Sequence, residues 1–151
     1  MVKALLVGAE GGLGKALAAG MPPDWAVEAL GRADLDISRR NDVVDRIRAA
    51  APDVVFNAAG TADVDGCETT KWEAYLINRD GAKHLAMAAS TAGACLVTIS
   101  SDLVFDGAKT VPYKEEDPPN PLSIFGDTKL GQGRESARMF LRCRCPTPPS
   151  P

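Results

Sequence analysis

Short apolar segments alternate with longer amphipathic segments along most of the chain. The apolar segments have the length of β-strands, and we predict strands at 3–7, 26–30, 54–57 and 95–100. Helical periodicity between and after them predicts helices at 12–19, 41–50, 68–89 and from 123 onwards. Strands and helices in alternation are typical of an α/β protein with a parallel sheet. We therefore predict a doubly wound parallel sheet with strand order 3-2-1-4.

Proline and glycine mark where these elements end. Pro52 ends the second helix, and Gly81 predicts a break within the 68–89 helix. Beyond residue 138 the chain has neither a helical nor a strand period, and it is rich in proline: Pro146, Pro148, Pro149 and Pro151. We predict one domain over 1–138, followed by an unstructured tail over 139–151.

Composition narrows the classes of partner. The chain has 20 acidic and 17 basic residues, a formal net charge of −3, and no dense cluster of Lys or Arg, so nucleic acid is not an expected partner. No apolar run approaches the ~20 residues that cross a bilayer, and no signal-peptide pattern precedes the first strand. We therefore expect a cytoplasmic protein without membrane contact. Its four cysteines lack Cys-x-x-Cys spacing and are predicted to be reduced.

A glycine-rich turn links the first strand to the first helix. Gly8, Gly11 and Gly14 give the spacing G-x-x-G-x-x-G. In this place glycines let the backbone approach a pyrophosphate at the positive end of a helix. The turn thus predicts a dinucleotide-binding, Rossmann-like domain. A tight turn without a ligand is the alternative, because a glycine triplet alone is a weak signal.

The end of the second strand bears on which dinucleotide is bound. An acidic residue at this place binds the adenosine ribose of NAD, whereas Gly31 and Arg32 stand here instead. Gly31 leaves room and Arg32 offers a cation for a 2′-phosphate, which favours NADP. NAD remains an alternative, as does the interpretation of Arg32 as a solvated surface charge.

Several segments occur in the order seen in one known family. The residues at 34–37 (Asp-Leu-Asp-Ile), at 52–59 (Pro-Asp-Val-Val-Phe-Asn-Ala-Ala) and at 99–107 (Ile-Ser-Ser-Asp-Leu-Val-Phe-Asp-Gly) resemble the extended short-chain dehydrogenase/reductases. The likeness is strongest to the dTDP-4-dehydrorhamnose reductases, and it extends from about residue 2 to 130. That family reduces the 4-keto group of a dTDP-deoxysugar with a nicotinamide cofactor. The resemblance therefore implies a nicotinamide dinucleotide and a dTDP-sugar as ligands.

The resemblance also implies which residues bind the cofactor. The glycine turn would line the pyrophosphate, and the segment after strand two would line the adenine. The segment after strand three would line the path to the nicotinamide, and a lysine would hold the cofactor ribose. The predicted residues are Gly8, Gly11, Gly12, Leu13, Gly14, Arg32, Asp36, Ile37, Gly60, Thr61, Ala62 and Lys129. For Asp36 a helix-capping role is the alternative.

The implied catalytic residues include one that lacks the required chemistry. Ser101 would polarise the ketone and contact substrate together with Asp102, and Lys129 would tune a proton donor. The family's donor is the tyrosine of a Y-G-x-x-K motif, but here Phe125 stands in its place, and a phenyl ring donates no proton. Whether the chain is an active enzyme is therefore open.

Two functions remain open from the sequence. One is a dTDP-4-dehydrorhamnose reductase, or its cofactor half, impaired by Phe125 and by the lack of the family's C-terminal substrate half. The other is a non-catalytic dinucleotide-binding module similar to the methionine adenosyltransferase regulatory subunit. A gene remnant is a third interpretation. The family's metal site does not carry over at Lys15, so we expect no metal. Apolar surface left uncovered predicts marginal stability and is compatible with a homodimer.

Overall fold

The computed structural model describes residues 1–140. Its strands are β1 (Lys3–Val7), β2 (Ala26–Leu30), β3 (Val54–Asn57) and β4 (Cys95–Thr98). Its α-helices are α1 (Gly12–Gly20), α2 (Arg40–Ala50), α3 (Val64–Thr69), α4 (Lys71–Ala74), α5 (Ala82–Ala92) and α6 (Ile124–Phe140). The first three strands have the predicted bounds, and β4 ends two residues earlier than predicted.

All strand pairs of the sheet are parallel, which confirms the α/β, Rossmann-like class. The order is β2-β1-β3-β4, so the predicted order 3-2-1-4 is wrong. β3 pairs with β1, where Leu5 lies opposite Val55, and not with β2. The burial of the strands agrees with this order. Every residue of β2 before Leu30 is exposed, as is typical of an edge strand. The more apolar β3 is buried and lies inside the sheet.

Helices cover the two faces of the sheet unequally. Leu5, Val7 and Val55 point to one face and join a core with side chains of α2 and α5, among them Ile47 and Leu85. The other face carries α1, which lies beside Trp25 and Phe56 across an open apolar groove lined also by Leu13, Ala16, Leu17, Gly20, Met21 and Pro22. The deeper core therefore lies on the side of α2 and α5.

The predicted 68–89 helix is a more varied segment. α3 is a separate helix, and α4 continues through a π-helical stretch at Tyr75–Gly81 into α5. Gly81 does not break the helix, contrary to prediction, but marks where the π-helical stretch ends. A Cβ added at Gly81 would lie 2.7 Å from the side chain of Ile37. Gly81 is thus explained by the close approach of the Ile37 side chain to this helix.

The last described helix, α6, begins one residue later than predicted. The Ser123 hydroxyl accepts a hydrogen bond from the Gly126 amide (3.1 Å) at its start. The helix runs to Phe140, so the predicted domain boundary at 138 falls inside it. The rest of the predicted tail, 141–151, lies outside the described residues. Within residues 1–140 no helix is both long and apolar enough to cross a membrane.

Candidate functional site

A cavity of about 480 Å³ opens at the carboxyl ends of β1, β2 and β3. In open parallel sheets this edge is where ligands bind. The cavity is lined by the glycine turn, by the segments that follow β2 and β3, and by α4 with the π-helical stretch. Eight of the predicted cofactor residues line it: Gly8, Gly11, Arg32, Asp36, Ile37, Gly60, Thr61 and Ala62.

The glycine turn is tied closely to the strands around it. The amides of Gly8 and Ala9 both donate to the Leu30 carbonyl at 2.9 Å, which joins the turn to the end of β2. Gly8 has φ +83°, and a Cβ there would lie 2.4 Å from the Ala59 nitrogen. A Cβ at Gly14 would lie 2.1 Å from the Gly8 carbonyl oxygen. Gly8 and Gly14 are therefore required by the backbone geometry itself.

The N-terminus of α1 offers backbone donors beside this turn. The first helical bond is donated by Lys15 to the Gly11 carbonyl at 2.9 Å. The amides of Gly12, Leu13 and Gly14 precede it and have no partner within the helix, and they lie at the positive end of its dipole. Such donors suit a phosphate. The side chain of Leu13 does not line the cavity but the apolar groove on the α1 face.

The segment after β2 forms a set of short polar turns. Asp34 accepts the Gly31 amide at 2.8 Å, and the Glu10 carboxylate accepts the Arg32 amide at 3.2 Å. Asp36 accepts both the hydroxyl and the amide of Ser38, and the hydroxyl bond is the main cause of its lowered pKa. Asp36 does not cap α2, which was its alternative predicted role, because the N-cap of that helix is Arg39.

Two buried asparagines hold the turn after β3. Asn57 accepts the Ala59 amide at 3.1 Å. Asn78, on the π-helical stretch, accepts the Thr61 amide at 2.9 Å and donates to the Thr61 carbonyl at 3.1 Å. It also donates to the Thr128 hydroxyl of α6 at 3.1 Å. These amides therefore position the cavity wall at Gly60 and Thr61.

Lys129 lies on α6, outside the lining of the cavity. Its Nζ donates to Gln132 Oε1 at 2.7 Å. The Gln132 amide nitrogen donates in turn to the Ile99 carbonyl at 3.0 Å and to the Thr98 hydroxyl. Burial lowers the pKa of Lys129. The ammonium is thus held at the end of β4, the strand that leads to Ser101.

Ser101 and Asp102 lie beyond the end of β4, where a short 3₁₀ helix runs over Asp102–Val104. The Ser101 hydroxyl donates to Asp102 at 3.1 Å and accepts the Leu103 amide at 3.2 Å. Asp102 lines a second cavity of about 490 Å³, together with Leu103, Phe105, Tyr113 and other residues of this segment. The predicted substrate residues therefore lie in a place separate from the dinucleotide cavity.

Phe125 is part of the core. It is 8% exposed and packs with Cys67 and Ala74, and Val64 and Ile124 lie against this cluster. It lines neither cavity. The structure thus accounts for Phe125 by apolar packing between α3, α4 and α6.

Sequence reasoning missed several polar residues around the site. Glu10 and Ser38 line the cavity, and Thr98, Thr128 and Gln132 belong to the hydrogen-bond network beneath it. A buried glutamine or threonine has no period or motif that distinguishes it from a surface residue. Glu10 had a signal, since it stands inside the glycine motif. Within residues 1–140 no group of His, Cys, Asp or Glu forms a metal cluster, and the absence of a metal stays a prediction.

A family model described as the RmlD substrate binding domain matches residues 2–138. The chain belongs to this family. This confirms the resemblance that the sequence motifs indicated. Among RmlD relatives, dTDP-4-dehydrorhamnose reductase of Sinorhizobium fredii is 42% identical over 125 residues, covering 83% of this chain and 42% of the relative.

Solved structures match the RmlD fold of this chain as well. dTDP-4-dehydrorhamnose reductase from Bacillus anthracis, in complex with NADP, has a TM-score of 0.90 and 30% identity, covering 92% of this chain and 50% of that chain. MoeE5 in complex with UDP-glucose and NAD has a TM-score of 0.78 and 27% identity, covering 93% and 50%. The chain therefore spans about half the length of these proteins.

Proposed function

We propose that this chain is the dinucleotide-binding half of a dTDP-4-dehydrorhamnose reductase, with NADP as the cofactor. The observation that carries the proposal is the cavity at the carboxyl ends of the strands, with the glycine turn and the N-terminus of α1 at its edge. The match to the Bacillus anthracis reductase, solved with NADP, supports the cofactor. Since the reductases named above share the fold of this chain, the regulatory-module alternative gains no support.

In this proposal each group of residues has one task. The amides of Gly12 and Leu13 would bind the pyrophosphate, Arg32 would bind the 2′-phosphate, and Thr61 would border the path to the nicotinamide. When bound, the cofactor supplies the hydride. Lys129, held by Gln132, would contact the cofactor ribose, and Ser101 and Asp102 would contact the sugar of the substrate. A dTDP-sugar is the proposed substrate.

The experiment is a calorimetric titration of NADPH and NADH into the folded chain, with a matched pair of glycine variants. A Cβ at Gly11 would meet only the Gly8 carbonyl oxygen, at 3.6 Å, so Gly11→Ala keeps the fold while its methyl group obstructs a phosphate. We expect this variant to weaken NADPH binding at least about tenfold, or ~1.4 kcal/mol.

Gly20→Ala is the control, because it places the same methyl group at the other end of α1, where nothing lies within 4 Å. It should bind NADPH as the parent chain does. A folded parent chain that binds neither dinucleotide would contradict the proposal. So would equal binding by both glycine variants.

A further inference from the structure

Glu10 reaches from the glycine turn to the end of β2. Its carboxylate accepts the Arg32 amide at 3.2 Å. A Cβ added at Gly31 would lie 2.5 Å from the Glu10 carboxyl carbon, so the absence of a side chain at Gly31 leaves the space that the carboxylate occupies. Glu10, Gly31 and Arg32 all line the dinucleotide cavity.

This place in the fold distinguishes one dinucleotide from the other. A carboxylate near the end of the second strand accepts a hydrogen bond from the 2′-hydroxyl of NAD, and an arginine accommodates the 2′-phosphate of NADP. In this chain the strand itself supplies only Arg32, whereas the carboxylate comes from the glycine turn. Both recognition groups are therefore present in one cavity.

We propose that Glu10 is a specificity-determining residue for the adenosine ribose. Its carboxylate accepts the ribose hydroxyl of NADH and repels the 2′-phosphate of NADPH, so it reduces the preference for NADPH that Arg32 confers. This rests on the proposed function, since it concerns the same cavity. It predicts that the chain binds both dinucleotides and that the charge at position 10 sets the ratio of their affinities.

The test compares the dissociation constants of NADPH and NADH for three variants by calorimetry. Glu10→Gln keeps the size of the side chain and an oxygen for the Arg32 amide but removes the charge. Because the substitution removes the repulsion between the carboxylate and a phosphate that carries up to two negative charges, NADPH binding should tighten about tenfold. NADH binding should weaken by about twofold to fivefold, because an amide oxygen is a weaker acceptor for the ribose hydroxyl than a carboxylate.

Two further variants are controls, one for the length of the side chain at position 10 and one for the net charge of the protein. Glu10→Asp keeps the charge and should retain the parent ratio of affinities. Asp24→Asn removes one negative charge just before β2, at the strand end opposite the cavity, and should alter neither affinity. Circular dichroism and a thermal melt establish that each variant is folded.

The outcomes distinguish this inference from the proposed function. Selective tightening of NADPH by Glu10→Gln supports it. If the parent chain binds dinucleotide but Glu10→Gln changes both affinities equally or neither, the role of Glu10 is overturned while the dinucleotide site stands. If the folded parent chain binds neither dinucleotide, the proposed function fails, and the role of Glu10 fails with it.

Discussion

The ring of Phe125 is buried on the same helix that carries Lys129, one turn before it. In the proposed reductase a proton must reach the new alkoxide, and neither Phe125 nor the half-buried Lys129 ammonium, held by Gln132, replaces a phenol there. Cofactor binding and proton transfer are therefore two separate properties of this chain in the proposed function. Cofactor binding would depend on the glycine turn, and proton transfer would depend on position 125.

Phe125→Tyr tests the second property. We would fuse the chain to the C-terminal half of the Sinorhizobium fredii reductase and follow NADPH oxidation with a dTDP-4-keto sugar. General acid catalysis contributes about 10²–10⁴-fold, so the tyrosine fusion should be faster than the phenylalanine fusion by a factor in that range. Phe56→Tyr, which adds the same hydroxyl in the groove beside α1, should give no gain. Equal rates for all three fusions would show that the phenyl ring at position 125 does not limit turnover.

At the scale of the elements, the sequence predicted where each strand lies along the chain but not which strands are neighbours in the sheet. Apolar runs reveal strands, whereas the order depends on which run can tolerate an edge. A charged residue within a strand indicates an edge position. Glu28 in β2 is such a residue, and in the structure it is exposed and ion-paired to Arg46 of α2. The π-helical stretch was not predictable, because its composition differs little from that of an α-helix. The glycine turn was predictable from the spacing of its glycines. In the structure, Cβ atoms added at Gly8 and Gly14 would collide with backbone atoms of Ala59 and Ala9.

The loop after β4 is organised by one carboxylate. Asp106 accepts the Tyr113 hydroxyl at 2.5 Å, the Asn120 amide nitrogen at 3.0 Å and the Ala108 amide at 2.9 Å. The Tyr113 bond is the main cause of a pKa lowered from 3.8 to about 2. Tyr113 also stacks on Phe105, with ring centroids 4.3 Å apart. The loop that borders the second cavity is therefore fixed by an ionised group.

Because the pKa of Asp106 is lower in the folded protein, its stabilising effect is full above the ordinary value near 3.8 and is lost as the pH falls toward about 2. Asp106→Asn should lower the melting temperature by roughly 2–4 °C at pH 7 and at pH 5. At pH 3 the difference should be smaller. Calorimetric scans of both proteins measure it, with Asp24→Asn as a control for lost negative charge. A difference that stays constant down to pH 3 would contradict the role of the ionised carboxylate.

At the scale of the whole molecule, one face of the sheet is covered by little more than α1. Leu13 is 45% exposed there, and Phe56 and Trp25 line the open groove. At the edge, Val97 of β4 is 36% exposed and Ile99, just after that strand, is 41% exposed. The chain spans about half the length of the solved reductase from Bacillus anthracis. We therefore expect the chain alone to be marginally stable and to associate through this surface.

Val97→Thr tests that expectation, because it keeps a β-branched side chain at the edge strand while making it polar. We expect the parent chain to melt below about 50 °C and to form dimers or larger species in sedimentation velocity. The variant should associate less and have the same melting temperature. Val55→Thr is the contrasting change, because Val55 is fully buried in β3 and should lose about 1–3 kcal/mol of unfolding free energy. A parent chain that sediments as a monomer and melts cooperatively well above 50 °C would show that the exposed strand edge costs this fold little. The stability would then come from the core between the sheet, α2 and α5, where Leu5, Ile47 and Leu85 are each fully buried.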